Sequence, residues 1–343
     1  MTAERIRRTR RALLRWYDAA KRDLPWRRVR DPYRIWLSEV MLQQTRIAAA
    51  LPYYERFVAR FPRVEHLAAA APDEVLGLWA GLGYYSRARN LHAAAKMVAQ
   101  SGAFPATYEA IRELPGIGDY TAAAIGSIAF GIARPAIDGN ALRVLSRLTA
   151  EQGNIAANAT RERLTKFADA LLDRKRPGDF NQCVMELGAT VCLPRAPRCG
   201  ACPAAGDCEA YQRGLQCDLP VKPRKLKPER VFATLLYIER GGAVLLRRQS
   251  AESKRLPGFW ELPGAAQLNG FEARDEIGEF QHTIVGTTYC YRLVSGRVRR
   301  RPRGFAWVER AKFHEIPLST TAKKAMQCLE KYWAKNRAKS RAK

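Results

Sequence analysis

Four cysteines close together are the first residues in this chain that could do chemistry. The segment CLPRAPRCGACPAAGDC sets Cys192, Cys199, Cys202 and Cys208 at x6, x2 and x5 spacing. The N-terminus MTAERIRRTRR is charged and no apolar segment follows it, so no secretory signal is expected. The thiols are then expected to stay reduced inside the cell, where disulfides are rare. Four thiols within seventeen residues indicate a metal site. Zinc and a [4Fe–4S] cluster both accept four cysteine thiolates, and the spacing alone admits either, with an unliganded cysteine knot a distant third. Cys183, Cys217, Cys290 and Cys328 occur singly and read as small hydrophobes.

Two carboxylates and a glycine-rich turn form a second group. Glu39, in RIWLSEVMLQ, has Ile35, Trp36, Leu42 and Gln43 three and four residues away. On a helix, three of these four neighbours are apolar, which would part-desolvate the carboxyl and raise its pKa. A raised pKa suits a general acid near neutral pH. Taken alone, such a glutamate is more often an ordinary helix-face residue. Asp138, in PAIDGNALRVL, precedes a helical pattern, where aspartate usually serves as an N-cap. In LPGIGDYTAAAIGSIAFG, Gly116 and Gly118 are positions where the chain can use positive φ to turn tightly. With a helix starting near Asp119, the exposed N–H groups would suit an anion such as a DNA phosphate. A plain tight turn has the same sequence signature.

The elements that must hold these groups read as helices from residue 4 to about 213, with apolar residues at three- and four-residue spacing and Pro and Gly between segments. The segment GLQCDLPVKPRKLKPERV, with Pro220, Pro223 and Pro228, reads as a connector. Beyond it, RVFATLLYIERGGAVLLRRQ predicts two strands turned at Gly241–Gly242, TTYCYRLVSGRVRRRPRGFAWV predicts further strands, and STTAKKAMQCLEKYWAK predicts a closing helix. No run of about 18 apolar residues is present, which argues against a helical membrane span. Lys and Arg number 59 against 33 acids, a formal charge of +26, and arginines recur throughout the chain. Nucleic acid is the polyanion that such an excess most commonly serves.

The stretches LPWR (24–27), WLSEVMLQQT (36–45), GLGYYSRARNLH (81–92), LPGIGDYTAAAI (114–125), DGN (138–140) and FNQ (180–182), followed by the four cysteines, resemble the endonuclease III superfamily of helix-hairpin-helix DNA glycosylases. Within it they resemble the MutY-type adenine DNA glycosylases. The resemblance implies a multidomain fold, with an all-α helix-hairpin-helix glycosylase domain over residues 1–213. The hairpin would lie near 114–121 and the iron–sulfur loop at 192–208. A linker at 214–230, a small α+β Nudix-like recognition domain at 231–335 and a basic tail at 336–343 would follow. The resemblance moves the cysteine site to a [4Fe–4S] cluster and implies base excision repair of adenine mispaired with 8-oxoguanine or guanine. The expected partner is double-stranded DNA carrying such a mispair, met by a monomer with no membrane association.

By the same resemblance Glu39 protonates adenine N7, and Asp138 stabilises the oxocarbenium-like sugar, following the logic of paired carboxylates at a glycosidic bond. Asn140 arranges Asp138 and the attacking water, and Tyr120 hydrogen-bonds in the same group. The lyase branch carries a lysine at position 120, which attacks C1′; a phenol cannot form that Schiff base, so Tyr120 implies excision without an efficient lyase step. Arg22, Trp26, Arg27 and Gln182 match residues of the adenine pocket. Tyr84, with Leu42 and Gln44, matches the group that fills the gap left by a flipped base, with Arg87 and Arg89 expected near phosphates. After Gly264 the acidic Nudix helix pattern is missing, so no pyrophosphohydrolase activity is expected. Where the family reads Phe-Ser-His, this chain has Ile284-Val285-Gly286, and a weaker preference for 8-oxoguanine, or a different sensing contact, is expected. The alternatives are a sister glycosylase acting on thymine or another base, a bifunctional lyase, and a non-catalytic DNA-binding protein with a structural metal site.

Overall fold

The computed structural model describes residues 2–223, 229–250, 252–253, 256–284 and 286–341. By its internal contacts the chain divides into two compact units, residues 1–69 with 89–224 and residues 70–88 with 225–343. Residues 224–228 of the expected linker, and Val285, lie outside the described residues.

The first unit is built from helices, and local sequence explains where they start. Helix Ala3–Ala20 is capped by Thr2, whose side chain accepts from the Arg5 amide, and it turns Leu13, Leu14 and Tyr17 inward. Helix Pro32–Leu42 is capped by Asp31 and has proline in its first turn, where the missing N–H is not needed. Its residues 35–41 are all buried. Helix Asp119–Phe130 ends at Gly131 in the left-handed region, φ 71°. Helix Gly139–Leu148 starts at Asp138, and helix Pro177–Thr190 packs near both of these. One core joins Leu13, Leu142, Leu145, Leu171, Cys183 and Leu187, and Cys192, Cys202 and Cys208 pack against it. The cysteine loop is therefore seated on the hydrophobic core.

The second unit contains a six-stranded mixed sheet with path order β3-β2-β1-β5-β4, and β6 pairing with β2. The strands are β1 (Glu229–Arg240), β2 (Ala243–Arg248), β3 (Trp260–Glu261), β4 (Phe271–Ile284), β5 (Thr287–Val298) and β6 (Phe305–Glu309). The expected β1–β2 turn forms with both Gly241 and Gly242 at positive φ, 56° and 77°, as a two-residue hairpin of matching twist requires. β1 runs parallel to β5, whereas β4 and β5 form an antiparallel hairpin. The closing helix, Thr320–Arg341, is longer than the sequence reading and packs Ala322, Ala325 and Leu329 on one face of the sheet.

A glycine sets how closely two helices of the first unit approach. A Cβ on Gly178 would stand 2.7 Å from the Ile128 Cα and 2.7 Å from the Ser127 carbonyl oxygen. Both are backbone atoms and cannot yield by a rotamer change. We expect Gly178→Ala to lower unfolding stability by about 1–3 kcal/mol, the range for an overpacked core. Urea titration followed by circular dichroism checks this, and a stability equal to the parent's contradicts it.

Candidate active site

Three of the expected residues meet inside the first unit. Glu39 is 6 % exposed, held in the buried stretch of helix Pro32–Leu42. Tyr120, in the first turn of helix Asp119–Phe130, donates its hydroxyl proton to Glu39 Oε2 at 2.7 Å. Burial pushes the Glu39 carboxyl up from the ordinary glutamate range to about 7. The Tyr120 hydrogen bond and the Arg27 charge pull it down, while the charge of Asp138 adds to the rise. Burial, Glu39 and Asp138 together hold the Tyr120 phenol well above the usual tyrosine range, so it remains a donor at neutral pH. A groove of about 990 Å³ is lined by Tyr108, Asp119, Tyr120, Arg134, Ile137 and Leu142 among others.

Asp138 is both the expected helix cap and part of this group. Its Oδ1 accepts from the Ala141 amide at 2.7 Å, and its Oδ2 accepts from Asn140 Nδ2 at 2.8 Å. Burial pushes Asp138 above the usual aspartate range, while these donors and Arg143 pull it back. Glu39 thus feels the charge of Asp138, and the two carboxyls have different partners.

The pocket matches cluster as well. Arg27 donates from Nε to Gln182 Oε1 at 3.2 Å, and Trp26 is buried with its ring edge-on to Tyr54, centroids 5.0 Å apart. Arg22 and Arg27 both bind Glu186, which the sequence reading did not single out. Leu42 is half-buried at its helix end and Gln44 is exposed, with a left-handed backbone at φ 57°. Tyr84 belongs to the second unit, is 52 % exposed and is also left-handed, at φ 50°.

Two expectations need correction. Gly116 has φ 80°, and an added Cβ would lie 2.7 Å from the Asn90 Cβ, but Gly118 has φ −100° and ψ −178°, ordinary extended backbone. Gly118 instead occupies the N-cap position of helix Asp119–Phe130, with no side-chain cap. Arg87 is buried rather than turned to phosphate: its Nη2 donates to the Gly83 carbonyl at 3.2 Å, and the guanidinium lies over the rings of Trp79 and Tyr84. Burial drops its pKa to about 10.

In the cysteine loop, burial is the first cause raising the pKa of Cys199, Cys202 and Cys208, and each also feels the sulfur of Cys192. Among the described residues, no group of three or more His, Cys, Asp or Glu side chains is arranged to hold a single metal ion. Arg147, 2 % exposed, donates from Nη1 to Cys192 Sγ at 3.2 Å and to the Leu193 carbonyl at 2.7 Å. Arg143 donates from Nε to the Cys192 carbonyl at 2.8 Å and from Nη2 to Asn140 Oδ1 at 2.8 Å. The pattern GNALRVLSRL gives no sign that both arginines are buried, since charged residues normally mark the solvent face. Cys183 is the buried hydrophobe expected, but Cys217 is exposed.

Glu39, Tyr120, Asp138 and Asn140 lie within a match to a family described as "HhH-GPD superfamily base excision DNA repair protein", over residues 37–169. The helical unit also resembles a solved thermostable thymine-DNA glycosylase, with TM-score 0.56 and 29 % identity over 61 % of this chain and 98 % of that one. A solved endonuclease III–DNA complex shares the fold, with TM-score 0.54 and 21 % identity over 63 % of this chain and 99 % of that one. Fold and site thus define a base excision repair DNA glycosylase of the helix-hairpin-helix class. The mouse adenine DNA glycosylase is 34 % identical over 93 % of this chain and 77 % of its own length, and the human adenine DNA glycosylase is 36 % identical over 92 % and 73 %. The chain belongs to the adenine DNA glycosylase family.

The tyrosine contact has a testable sign. Tyr120→Phe removes a hydrogen bond that favours the charged form of Glu39, so the Glu39 midpoint is expected to rise above about 7. Carboxyl ¹³C NMR titration reads it; an unchanged or lower midpoint contradicts the assignment.

Proposed function

We propose that this chain excises adenine mispaired with 8-oxoguanine or guanine, with Glu39 as general acid and Asp138 as the carboxylate facing the sugar. The observation that carries the reading is the buried Glu39 with a pKa of about 7 beside a second carboxylate that has donor partners of its own. A neutral carboxylic acid can give its proton to N7 of an everted adenine, which leaves poorly as an anion. Asp138, held by Asn140 and the Ala141 amide, which favour its charged form, stabilises positive charge growing at C1′. Tyr120 holds the acid in place, and its phenol offers no amine for Schiff-base chemistry, which supports excision without an efficient lyase step.

Arg22, Trp26, Arg27 and Gln182 form the pocket wall in this reading. Leu42 and Gln44 are assigned to the gap left by the everted base and Tyr84, in its own unit, to wedging beside the lesion; left-handed backbone at Tyr84 and Gln44 supports each role, since such strain collects at functional positions. The turn at Gly116 and the uncapped start of helix Asp119–Phe130 at Gly118 offer N–H groups to a DNA phosphate. Cys192, Cys199, Cys202 and Cys208 would hold a [4Fe–4S] cluster. An all-sulfur donor set, with Arg147 directed at one sulfur, fits that group. When bound, the cluster supplies a redox-capable brace for the loop. The second unit would read the base opposite adenine. Val285 is outside the described residues, and the flanking Thr283 and Thr288 hydroxyls bond each other at 3.0 Å.

Single-turnover assays on A:8-oxoguanine, A:G and T:G duplexes test the substrate. Adenine release is expected, with a smaller preference for 8-oxoguanine over guanine than a serine-bearing relative has; thymine release alone would favour the sister reading. The rate should fall as pH rises through about 7, because Glu39 then loses the proton it must give. Glu39→Gln should slow excision by about 10²–10⁴-fold, the usual contribution of a positioned acid. A parent-like rate in that variant would refute the assignment.

A further inference from the structure

Glu186 sits on helix Pro177–Thr190 with its side chain 1 % exposed. Its Oε1 accepts from Arg22 Nε at 2.6 Å and from the Arg22 amide at 3.3 Å. Its Oε2 accepts from Arg22 Nη2 and from Arg27 Nη2, both at 2.8 Å. Arg27 is further fixed by Gln182, one helical turn before Glu186, by the Arg22 carbonyl at 3.1 Å, and by the ring of Tyr17 beneath its guanidinium. Two cations therefore share one carboxylate, and both oxygens are occupied. Burial alone would push Glu186 up, but the two guanidiniums outweigh it and hold the group below the usual glutamate range.

We infer that Glu186 is a positioning residue: it clamps Arg22 and Arg27 in the pocket wall, aims their remaining donors, and cancels one of their two charges beside the acid. The inference rests on the adenine reading above, because the pocket wall is defined by it. The charge balance has a consequence at Glu39. The groups facing Glu39 are Tyr120 on helix Asp119–Phe130, Asp138 at the start of helix Gly139–Leu148 and Arg27, and Arg27 pulls Glu39 down. The groups facing Glu186 are Arg22, Arg27, Cys183 on its own helix and, from helix Ala3–Ala20, Tyr17. With Glu186 uncharged, Arg27 keeps its full charge, and the acid should ionise at lower pH.

The test is single-turnover adenine excision from an A:8-oxoguanine duplex between pH 5 and 9, for the parent, Glu186→Gln, Glu186→Asp and the double variant Glu186→Gln/Arg27→Gln. Glu186→Gln is expected to lose about tenfold in rate at neutral pH, as loosened positioning does, with the basic limb of its profile displaced to lower pH. Glu186→Asp should restore the limb without the full rate. A merely structural role would lower the rate without moving the limb. Should Glu186→Gln fail to fold, the double variant, in which only the part-exposed Arg22 loses its carboxylate partner, decides: a limb at or above the parent's position supports the clamp, and a limb below it overturns it. A rate and limb in Glu186→Gln equal to the parent's overturn the inference while leaving adenine excision standing. A parent that releases no adenine overturns both.

Discussion

The arrangement depends on a carboxylic acid kept out of water. Glu39 lies in a helix buried on almost every side, and an isolated carboxylate there would be costly, so the neutral form is favoured up to about pH 7. Tyr120 supplies the hydrogen bond that a buried carboxyl must have, and its own burial keeps it a donor. This pair needs helices Pro32–Leu42 and Asp119–Phe130 in close contact, and they are among the most intimately packed helices of the first unit. Packing and acid–base poise are one constraint here.

Burial raises the second carboxyl as well, but its partners differ. Asp138 stands at a helix start, where the Ala141 amide and the Asn140 side chain favour its charged form against burial. Arg143 carries the arrangement outward, from Asn140 to the Cys192 carbonyl, and Arg147 continues to the Cys192 sulfur. Buried charges persist only when paired or fully hydrogen-bonded, and leaving one unpaired typically costs about 3–5 kcal/mol. The network therefore ties the cysteine loop to the helix that begins at Asp138. Glu186 follows the same rule, one carboxylate for two guanidiniums.

The second unit illustrates where pattern reading falters. The Gly241–Gly242 hairpin was legible because both glycines are forced into positive φ. Strand β4, FEARDEIGEFQHTI, was not, because only Ile277 is buried along it and its register shifts twice, which erases the alternation that marks a strand. Arg87 misled for a related reason. A basic residue in a glycine turn reads as a phosphate contact, but here two aromatic rings and carbonyl oxygens take up its guanidinium.

By itself the sequence determined the helical half, the strand-rich half and the cysteine spacing, and the motifs carried Glu39, Tyr120, Asp138 and Asn140. These are properties of periodicity and local spacing, which a linear chain carries openly. Only the tertiary structure decided that Tyr120 bonds Glu39 across 81 positions and that Glu186 holds Arg22 across 164. It alone made Arg143 and Arg147 interior residues and returned Gly118 to extended backbone. Side chains far apart in the chain acquire partners and lose water only when helices pack, and those two events set both charge state and aim.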